Sequence, residues 1–199
     1  IVVRRQRQMC IRDSPDSEPG LMRVLSSHVA TGNSLFLGNS LPIREWNLCA
    51  QTVVPVEDVL ANRGANGIDG QVSTWLGTTV GHNMAWGIFG DLTALYDLTA
   101  PAFLEQDDGK ERVLVVINNR GGRIFDRLPD FKELSCDEHK HVINRHDQKF
   151  ESWAAMWDLD YQLVTRRDHF DVKSQDRPIV LELQPDEQQT VEFWEVWDS

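Results

Sequence analysis

Short apolar runs alternate with longer amphipathic stretches along the chain from Pro15 onward. Strands are predicted at the short apolar runs 34–37, 59–61, 84–89, 112–117, 161–164 and 178–183. Helices are predicted over 18–30, from Pro42, over 71–80 and 93–103, and around 150–157, with Ser17 suited to cap the first. Near-continuous apolar strands separated by helices favour an α/β fold, a mostly parallel sheet with helices on both faces.

Composition limits the classes of function. A chain of 199 residues is long enough for one domain of ordinary size. Its formal charge of -11 argues against binding to nucleic acid, which relies on Lys and Arg facing phosphates. No apolar run is long enough to cross a membrane. Three cysteines, Cys10, Cys49 and Cys136, form no CxxC pair, which fits a reducing cytoplasmic location.

The first fourteen residues have a different character from the rest. Arg4 to Ser14 reads RRQRQMCIRDS, which matches the translation of a widely used sequencing adapter. We therefore expect residues 1–14 to be non-native and residues 15–199 to form the domain. The alternative is a basic arm that binds nucleic acid.

Polar or glycine-rich segments follow four of the predicted strands. They are GNS at 38–40, NRGANGIDG at 62–70, GD at 90–91 and NNRGG at 118–122. In parallel sheets, ligands bind beyond the carboxyl ends of the strands. These segments are therefore the predicted site.

A spacing between two of these segments indicates a metal site. Gly90 and Asp91 are followed, after a further 26 residues, by Asn118 and Asn119. A strand–helix–strand unit of this length would bring Asp91 and Asn119 to one sheet edge, as a carboxylate and an amide oxygen suited to Mg²⁺. Gly121 leaves the backbone open, so that a carbonyl can join them. Taken singly, GD and NN are also common turn residues.

The GD and NN pair resembles the motif of thiamine-diphosphate enzymes, although Leu92 stands where that motif usually has glycine. Four longer strings resemble one branch, the 2-succinyl-5-enolpyruvyl-6-hydroxy-3-cyclohexene-1-carboxylate synthases. They are LFLGNSLPIR (35–44), ANRGANGIDGQVST (61–74), GDLTALYDL (90–98) and NNRGGRIFDRLP (118–129). The resemblance implies a thiamine-diphosphate-binding fold of the diphosphate-binding type.

The resemblance also implies roles for individual residues. Positions matching metal ligands, for Mg²⁺ or Mn²⁺, are Asp91, Asn119 and the carbonyl of Gly121. Positions matching the thiamine diphosphate site are Ser40, Gly67, Ile68, Gly90, Asp91, Leu92 and Asn119. Positions matching the substrate site are Arg44, Arg63, Ile124 and Phe125. Without the resemblance, the arginines would be surface ion pairs, Ser40 a helix cap, and the apolar residues core.

The implied activity is that of a transferase of menaquinone biosynthesis, which decarboxylates 2-oxoglutarate and adds the succinyl unit to isochorismate. In this family the glutamate that activates the cofactor lies in a separate pyrimidine-binding domain, usually of the partner subunit. We therefore expect pyrimidine-binding and middle domains to precede this chain, and a homodimer or dimer of dimers. No catalytic residue is assigned within the chain.

Other interpretations stay open at this point. An acetolactate-synthase type of enzyme would have GDG where this chain has Gly90-Asp91-Leu92. A non-catalytic diphosphate- or nucleotide-binding module would need the Mg²⁺ site alone. Zinc binding by Cys136, His139, His141 and His146 is disfavoured, because their spacing fits no common structural site and the segment is charged and predicted as loop.

Overall fold

The computed structural model describes residues 14–29, 33–51, 56, 58–64, 66–106, 111–126, 128–171 and 177–198. Residues 1–13 therefore lie outside the described part, and so does nearly all of the segment predicted to be non-native.

Six strands and seven α-helices alternate through the described residues. The strands are β1 (Ser34–Leu37), β2 (Asp58–Leu60), β3 (Met84–Gly90), β4 (Glu111–Ile117), β5 (Asp160–Val164) and β6 (Ile179–Leu183). The helices are α1 (Glu18–Ser26), α2 (Leu41–Cys49), α3 (Gln71–Thr78), α4 (Asp91–Tyr96), α5 (Cys136–Ile143), α6 (Glu151–Met156) and α7 (Glu187–Trp197). Short 3₁₀ helices span Ala100–Gln106, Arg123–Phe125, Pro129–Glu133 and Arg167–His169.

All six strands belong to one parallel sheet, which confirms the predicted fold class. The strand order is β2-β1-β3-β4-β6-β5. The chain thus moves outward from β1 to β2 and then crosses back to β3 on the other side of β1. Such a reversal of strand order opens a crevice at the carboxyl ends of the central strands.

Helices cover both faces of the sheet, and successive residues of each central strand alternate between two apolar cores. On β4, Val113 and Val115 pack with α1 and α2, whereas Leu114 and Val116 pack with α3 and α6. All four side chains are at most 2% exposed. Burial on both faces is why the strand appears in the sequence as an unbroken apolar run.

Two predicted helices are shorter than expected. The helix predicted over 93–103 is α4, which ends at Tyr96, followed by the 3₁₀ helix Ala100–Gln106. The carboxylate of Asp97 accepts hydrogen bonds from Ser73 N (2.7 Å) and Ser73 Oγ (2.8 Å), which hold Asp97 outside the helix. Pro101 has no N–H group with which to continue the helical hydrogen bonds. The helix predicted over 18–30 ends at Ser26.

Two helices were not predicted. The charged segment interpreted as loop contains α5, so that prediction is wrong. Ser135 and Glu138 form a capping box at its start, which stabilises the first turn of a helix with only Ile143 buried. The last helix, α7, begins at the capping residue Asp186 and buries Phe193 against Cys49 of α2. No helix among the described segments combines the length and apolarity needed to cross a bilayer.

Candidate functional site

The carboxyl ends of β1, β3 and β4 lie side by side and bring three of the polar segments together. Leu37 of β1 is in register with Ile88 of β3, and Gly90 of β3 with Ile117 of β4. The segments that follow these strands therefore meet at one edge of the sheet, as predicted.

A cavity of about 350 Å³ lies at this edge. Eleven of the twelve predicted site residues line it: Ser40, Arg44, Arg63, Ile68, Gly90, Asp91, Leu92, Asn119, Gly121, Ile124 and Phe125. The exception is Gly67. A larger cavity of about 720 Å³ adjoins it beneath α7 and shares Glu18 and Asn119, but the predicted residues converge on the smaller one.

Asp91 is buried at the first position of α4, with 2% of its surface exposed. Its Oδ1 accepts a hydrogen bond from Leu92 N (2.6 Å), and its Oδ2 accepts one from Gly121 N (2.8 Å). His146 Nε2 also lies 3.1 Å from Oδ2, although the two atoms form no hydrogen bond. A carboxylate has about four acceptor positions, so these contacts leave room for a cation.

Asn119 presents an amide oxygen without a hydrogen bond. Its Nδ2 donates to both carboxylate oxygens of Glu18, over 3.0 and 2.9 Å. Its Oδ1 is buried and has no hydrogen-bond partner among the described residues. Buried polar atoms nearly always have a partner, so an orphaned acceptor at this position calls for a ligand.

Gly121 completes the set of oxygen donors. Its backbone φ is +131°, and a Cβ there would lie 2.5 Å from the carbonyl oxygen of Ile143, so only glycine fits. Its own carbonyl accepts from Arg123 N over 2.9 Å, which leaves a second lone pair.

These residues fit a hard divalent cation. One carboxylate, one amide oxygen and one carbonyl oxygen are the donor types that Mg²⁺ and Mn²⁺ take, with phosphate and water completing the shell. The described residues contain no cluster of three or more His, Cys, Asp and Glu side chains able to hold a metal. The zinc interpretation of Cys136, His139, His141 and His146 therefore gains no support.

Glu18 was not predicted to be a site residue, yet it lines the cavity and contacts Asn119. It begins α1 and is 3% exposed. Burial raises its pKa to about 7, because desolvation disfavours the carboxylate; the hydrogen bond from Asn119 opposes that rise, and the charge of Asp91 adds to it. The sequence around Glu18 gave no indication of this contact, because its partner Asn119 lies 101 residues further along the chain.

Ser40 adopts a backbone conformation that is rare for a residue with a side chain. Its φ is 74° and its ψ is -131°, and its side chain makes no capping hydrogen bond to α2. Ser40 thus occupies the N-cap position of α2, but its side chain does not cap the helix. Non-glycine residues persist in such conformations only where the surroundings impose them, which is common at ligand sites.

The glycine-rich segment 62–70 is held by side-chain amides from neighbouring elements. The carbonyl of Gly67 accepts hydrogen bonds from Asn39 Nδ2 (2.8 Å) and Gln71 Nε2 (2.9 Å). Gln71 Oε1 in turn accepts from Asn39 N (2.8 Å). This arrangement fixes the segment beside Ile68, which is half-buried and lines the cavity.

Two exposed guanidinium groups lie at the mouth of the cavity. Arg44 Nη1 donates to the carbonyl of Ser40 over 2.6 Å, and Arg63 Nη1 donates to Asn39 Oδ1 over 3.3 Å. Each of these contacts uses one of the five N–H donors of its guanidinium, and such groups bind carboxylates in a two-pronged geometry. Among the described residues, neither arginine forms a salt bridge, so the alternative interpretation as surface ion pairs gains no support.

Comparison with solved structures shows the fold. Benzoylformate decarboxylase from Polynucleobacter necessarius matches with a TM-score of 0.69 at 11% identity, over 84% of this chain and 33% of that one. A Mycobacterium smegmatis protein described as a thiamin diphosphate-dependent enzyme matches with a TM-score of 0.66 at 17% identity, over 84% of this chain and 31% of that one. The fold is that of the thiamine-diphosphate-binding enzymes, as predicted.

Comparison of sequences shows the family. A 2-succinyl-5-enolpyruvyl-6-hydroxy-3-cyclohexene-1-carboxylate synthase from Bdellovibrio bacteriovorus is 44% identical over 186 residues, 92% of this chain and 34% of that protein. The synthase of the same name from Akkermansia muciniphila is 41% identical over 179 residues, 88% of this chain and 34% of that protein. No family model matches the chain. The chain spans about a third of the length of these relatives, and over that third it belongs to the family of the 2-succinyl-5-enolpyruvyl-6-hydroxy-3-cyclohexene-1-carboxylate synthases.

Proposed function

We propose that the chain is the diphosphate-binding part of a thiamine-diphosphate-dependent transferase that decarboxylates 2-oxoglutarate and adds the succinyl unit to isochorismate. The observation that most supports this is the convergence of eleven predicted site residues on one cavity, in a chain 44% identical to a synthase of that name.

The oxygen donors of Asp91, Asn119 and Gly121 would hold Mg²⁺ or Mn²⁺, which would in turn bind the cofactor diphosphate. When bound, thiamine diphosphate supplies the electron sink for decarboxylation of a 2-oxo acid. Around it, the chain's own residues exclude water and fix position: Ile68 from the glycine-rich segment, Ser40 at the end of β1, and Gly90 and Leu92 beside the metal site.

Substrate recognition would fall to the residues at the mouth of the cavity. 2-Oxoglutarate and isochorismate each bear two carboxylates, and Arg44 and Arg63 offer guanidinium groups for such ligands. Ile124 and Phe125 line the same cavity on a 3₁₀ turn and would contact the apolar parts of the substrates.

The remaining machinery would come from outside this chain. In the family, the activating glutamate belongs to a pyrimidine-binding domain, usually across a dimer interface. We therefore expect the purified 199-residue chain to show no turnover by itself, with both substrates, thiamine diphosphate and Mg²⁺ present.

A chimera tests the proposal directly. Residues 15–199 would replace the matching third of the Bdellovibrio bacteriovorus synthase, and consumption of isochorismate with 2-oxoglutarate would be measured. The expected result is activity that Asp91→Asn abolishes, because the substitution removes the carboxylate from the metal site. A matched control is Asp137→Asn, which changes an exposed carboxylate on α5.

The alternatives predict different outcomes. An acetolactate-synthase type of enzyme would consume pyruvate rather than isochorismate in the same chimera. A nucleotide-binding module would leave the chimera inactive and bind ADP as tightly as thiamine diphosphate in calorimetry. A folded chimera that binds thiamine diphosphate and turns over neither substrate would rule out the proposed reaction.

A further inference from the structure

We propose that Glu18 is a positioning residue, which orients the side-chain amide of Asn119 so that its oxygen is presented to the metal ion. The inference rests on the proposed function, because it assumes that Asn119 is a metal ligand. Glu18 itself would not touch the metal or the substrates.

The geometry of the contact supports this role. Both carboxylate oxygens of Glu18 lie at hydrogen-bond distance from Asn119 Nδ2, at 3.0 and 2.9 Å. In a planar amide the oxygen and nitrogen point to opposite sides of Cγ. Fixing the nitrogen against Glu18 therefore fixes Oδ1 on the other side, where it is buried without a hydrogen-bond partner among the described residues.

The orientation of the Asn119 amide depends on its hydrogen-bond partners. An amide can rotate so that its oxygen and nitrogen exchange places, and only its hydrogen-bond partners decide between the two orientations. Both carboxylate oxygens of Glu18 accept from Nδ2, so this contact favours the orientation in which the nitrogen faces Glu18. A neutral amide in its place would tolerate both orientations.

The placement of Glu18 is itself rigid. The residue is 3% exposed at the first turn of α1, and its backbone N–H donates to Thr190 Oγ1 of α7 over 3.0 Å. The preceding residue, Ser17, caps the helix through a 3.1 Å bond from Gly20 N. These contacts fix the backbone from which the side chain of Glu18 reaches the amide of Asn119.

Stability alone gives no account of a carboxylate at this position. Burial and the like charge of Asp91 disfavour the ionised form, and the hydrogen bonds with Asn119 and Glu45 and the charge of Arg123 only partly offset them. Conversely, partners that orient metal ligands typically contribute about 10- to 100-fold to metal affinity.

The test measures metal binding rather than activity. Mn²⁺ binding to the 199-residue chain would be followed by electron paramagnetic resonance with thiamine diphosphate present. We expect Glu18→Gln to weaken Mn²⁺ affinity about 10-fold, within the usual range for such partners, with unchanged circular dichroism. Asp91→Asn should abolish specific binding.

Ser17→Ala is the matched control. It removes the cap of the same helix but leaves the carboxylate of Glu18 in place, so a merely structural role for this region predicts equal losses in both variants. Positioning by Glu18 predicts that Ser17→Ala binds Mn²⁺ like the wild type. Selective ¹⁵N labelling adds a metal-free readout, in which the side-chain N–H₂ signals of Asn119 should shift in Glu18→Gln and not in Ser17→Ala.

The outcomes separate the two proposals. Specific binding that Asp91→Asn abolishes and Glu18→Gln leaves unchanged would overturn the role of Glu18 and leave the proposed function standing. Equal weakening in Glu18→Gln and Ser17→Ala would also overturn it. Absence of Mn²⁺ binding by the wild-type chain would count against the metal site itself, and hence against both.

Discussion

Asn118 and Glu182, which are 64 residues apart in the sequence, are joined by a 2.7 Å hydrogen bond from Asn118 Nδ2 to Glu182 Oε1. The contact ties the end of β4 to the carboxyl end of β6, directly beside Asn119. Glu182 has no exposed surface, and its carboxylate also accepts from Phe150 N (2.9 Å) and Tyr161 Oη (2.8 Å). Several donors around one buried carboxylate hold the site edge of the sheet in place.

We predict that Glu182→Leu destabilises the chain by roughly 3 kcal/mol or more, because each buried donor left without an acceptor costs about 1–3 kcal/mol. Tyr161→Phe removes a single bond and should cost about 1 kcal/mol. Urea denaturation followed by tryptophan fluorescence measures both. If Glu182→Leu were as stable as the wild type, the network would have no role in stability.

A second buried charge, Arg112, holds the opposite edge of the sheet. Its side chain is 1% exposed and donates to the carbonyls of Thr79 (3.1 Å), His82 (3.1 Å) and Asn83 (3.3 Å). Arg112→Met would remove one donor from each of these carbonyls. The carbonyls of Thr79 and Asn83 each keep a backbone donor, so we expect a loss of roughly 1–3 kcal/mol in the same denaturation assay. Arg112→Lys keeps the charge but not the planar guanidinium group, so the stability of this variant should lie between those of the wild type and of Arg112→Met.

The central strands of this protein were predictable because burial on both faces leaves a continuous apolar run in the sequence, as in β4. The edge at which Asp91, Asn119 and Gly121 meet followed from that pattern, because parallel strands end on the same side. Helix α5 was missed because its charged sequence buries only Ile143. The Ser135–Glu138 spacing of its capping box was the available signal.

Long-range polar contacts could not be predicted in the same way. Glu18 appeared only as the first residue of a helix, and Arg112 only as the first residue of a strand. Their partners are fixed by the packing of elements that are distant in the sequence, 101 residues apart for Glu18 and Asn119. Neither the spacing of residues within a segment nor its hydrophobic periodicity indicates such a contact.

Gly121 supplies a test of backbone geometry at the site. An added Cβ would meet the carbonyl oxygen of Ile143 at 2.5 Å, at a φ of +131°. We predict that Gly121→Ala costs roughly 1–3 kcal/mol and weakens Mn²⁺ binding. Gly77 is the control: it lies in α3 with nothing within 4 Å of the added Cβ, and Gly77→Ala should raise stability by about 0.5–1 kcal/mol. Equal effects of the two changes would contradict the prediction.

The two described cysteines should differ sharply in reactivity. Cys49 is 2% exposed, and burial raises the pKa of its thiol well above the usual range. Cys136 is exposed at the start of α5. In a Cys10→Ser background, maleimide should label Cys136 rapidly and Cys49 only when urea unfolds the chain, because the thiolate is the reactive species. Mass spectrometry of the labelled peptides measures each rate, and rapid labelling of native Cys49 would show that α2 and α7 do not seal it.

Helix α5 should loosen in acid because of Glu138. Ser135 N and Oγ donate to Glu138 Oε2 over 2.9 and 2.6 Å, and these bonds lower the pKa of Glu138 below its ordinary value of 4.5. An acid whose pKa is lowered by folding stabilises the folded state when it is ionised. This stabilisation is complete at a pH above the pKa of the acid in the unfolded chain, and it is lost as the pH falls through the pKa of the acid in the folded chain. Hydrogen exchange of peptides covering 135–144, corrected for intrinsic rates, should therefore accelerate below about pH 4.5. Glu138→Gln keeps an uncharged capping oxygen and should lack this acceleration; the same pH dependence in both proteins would assign the loosening to another group.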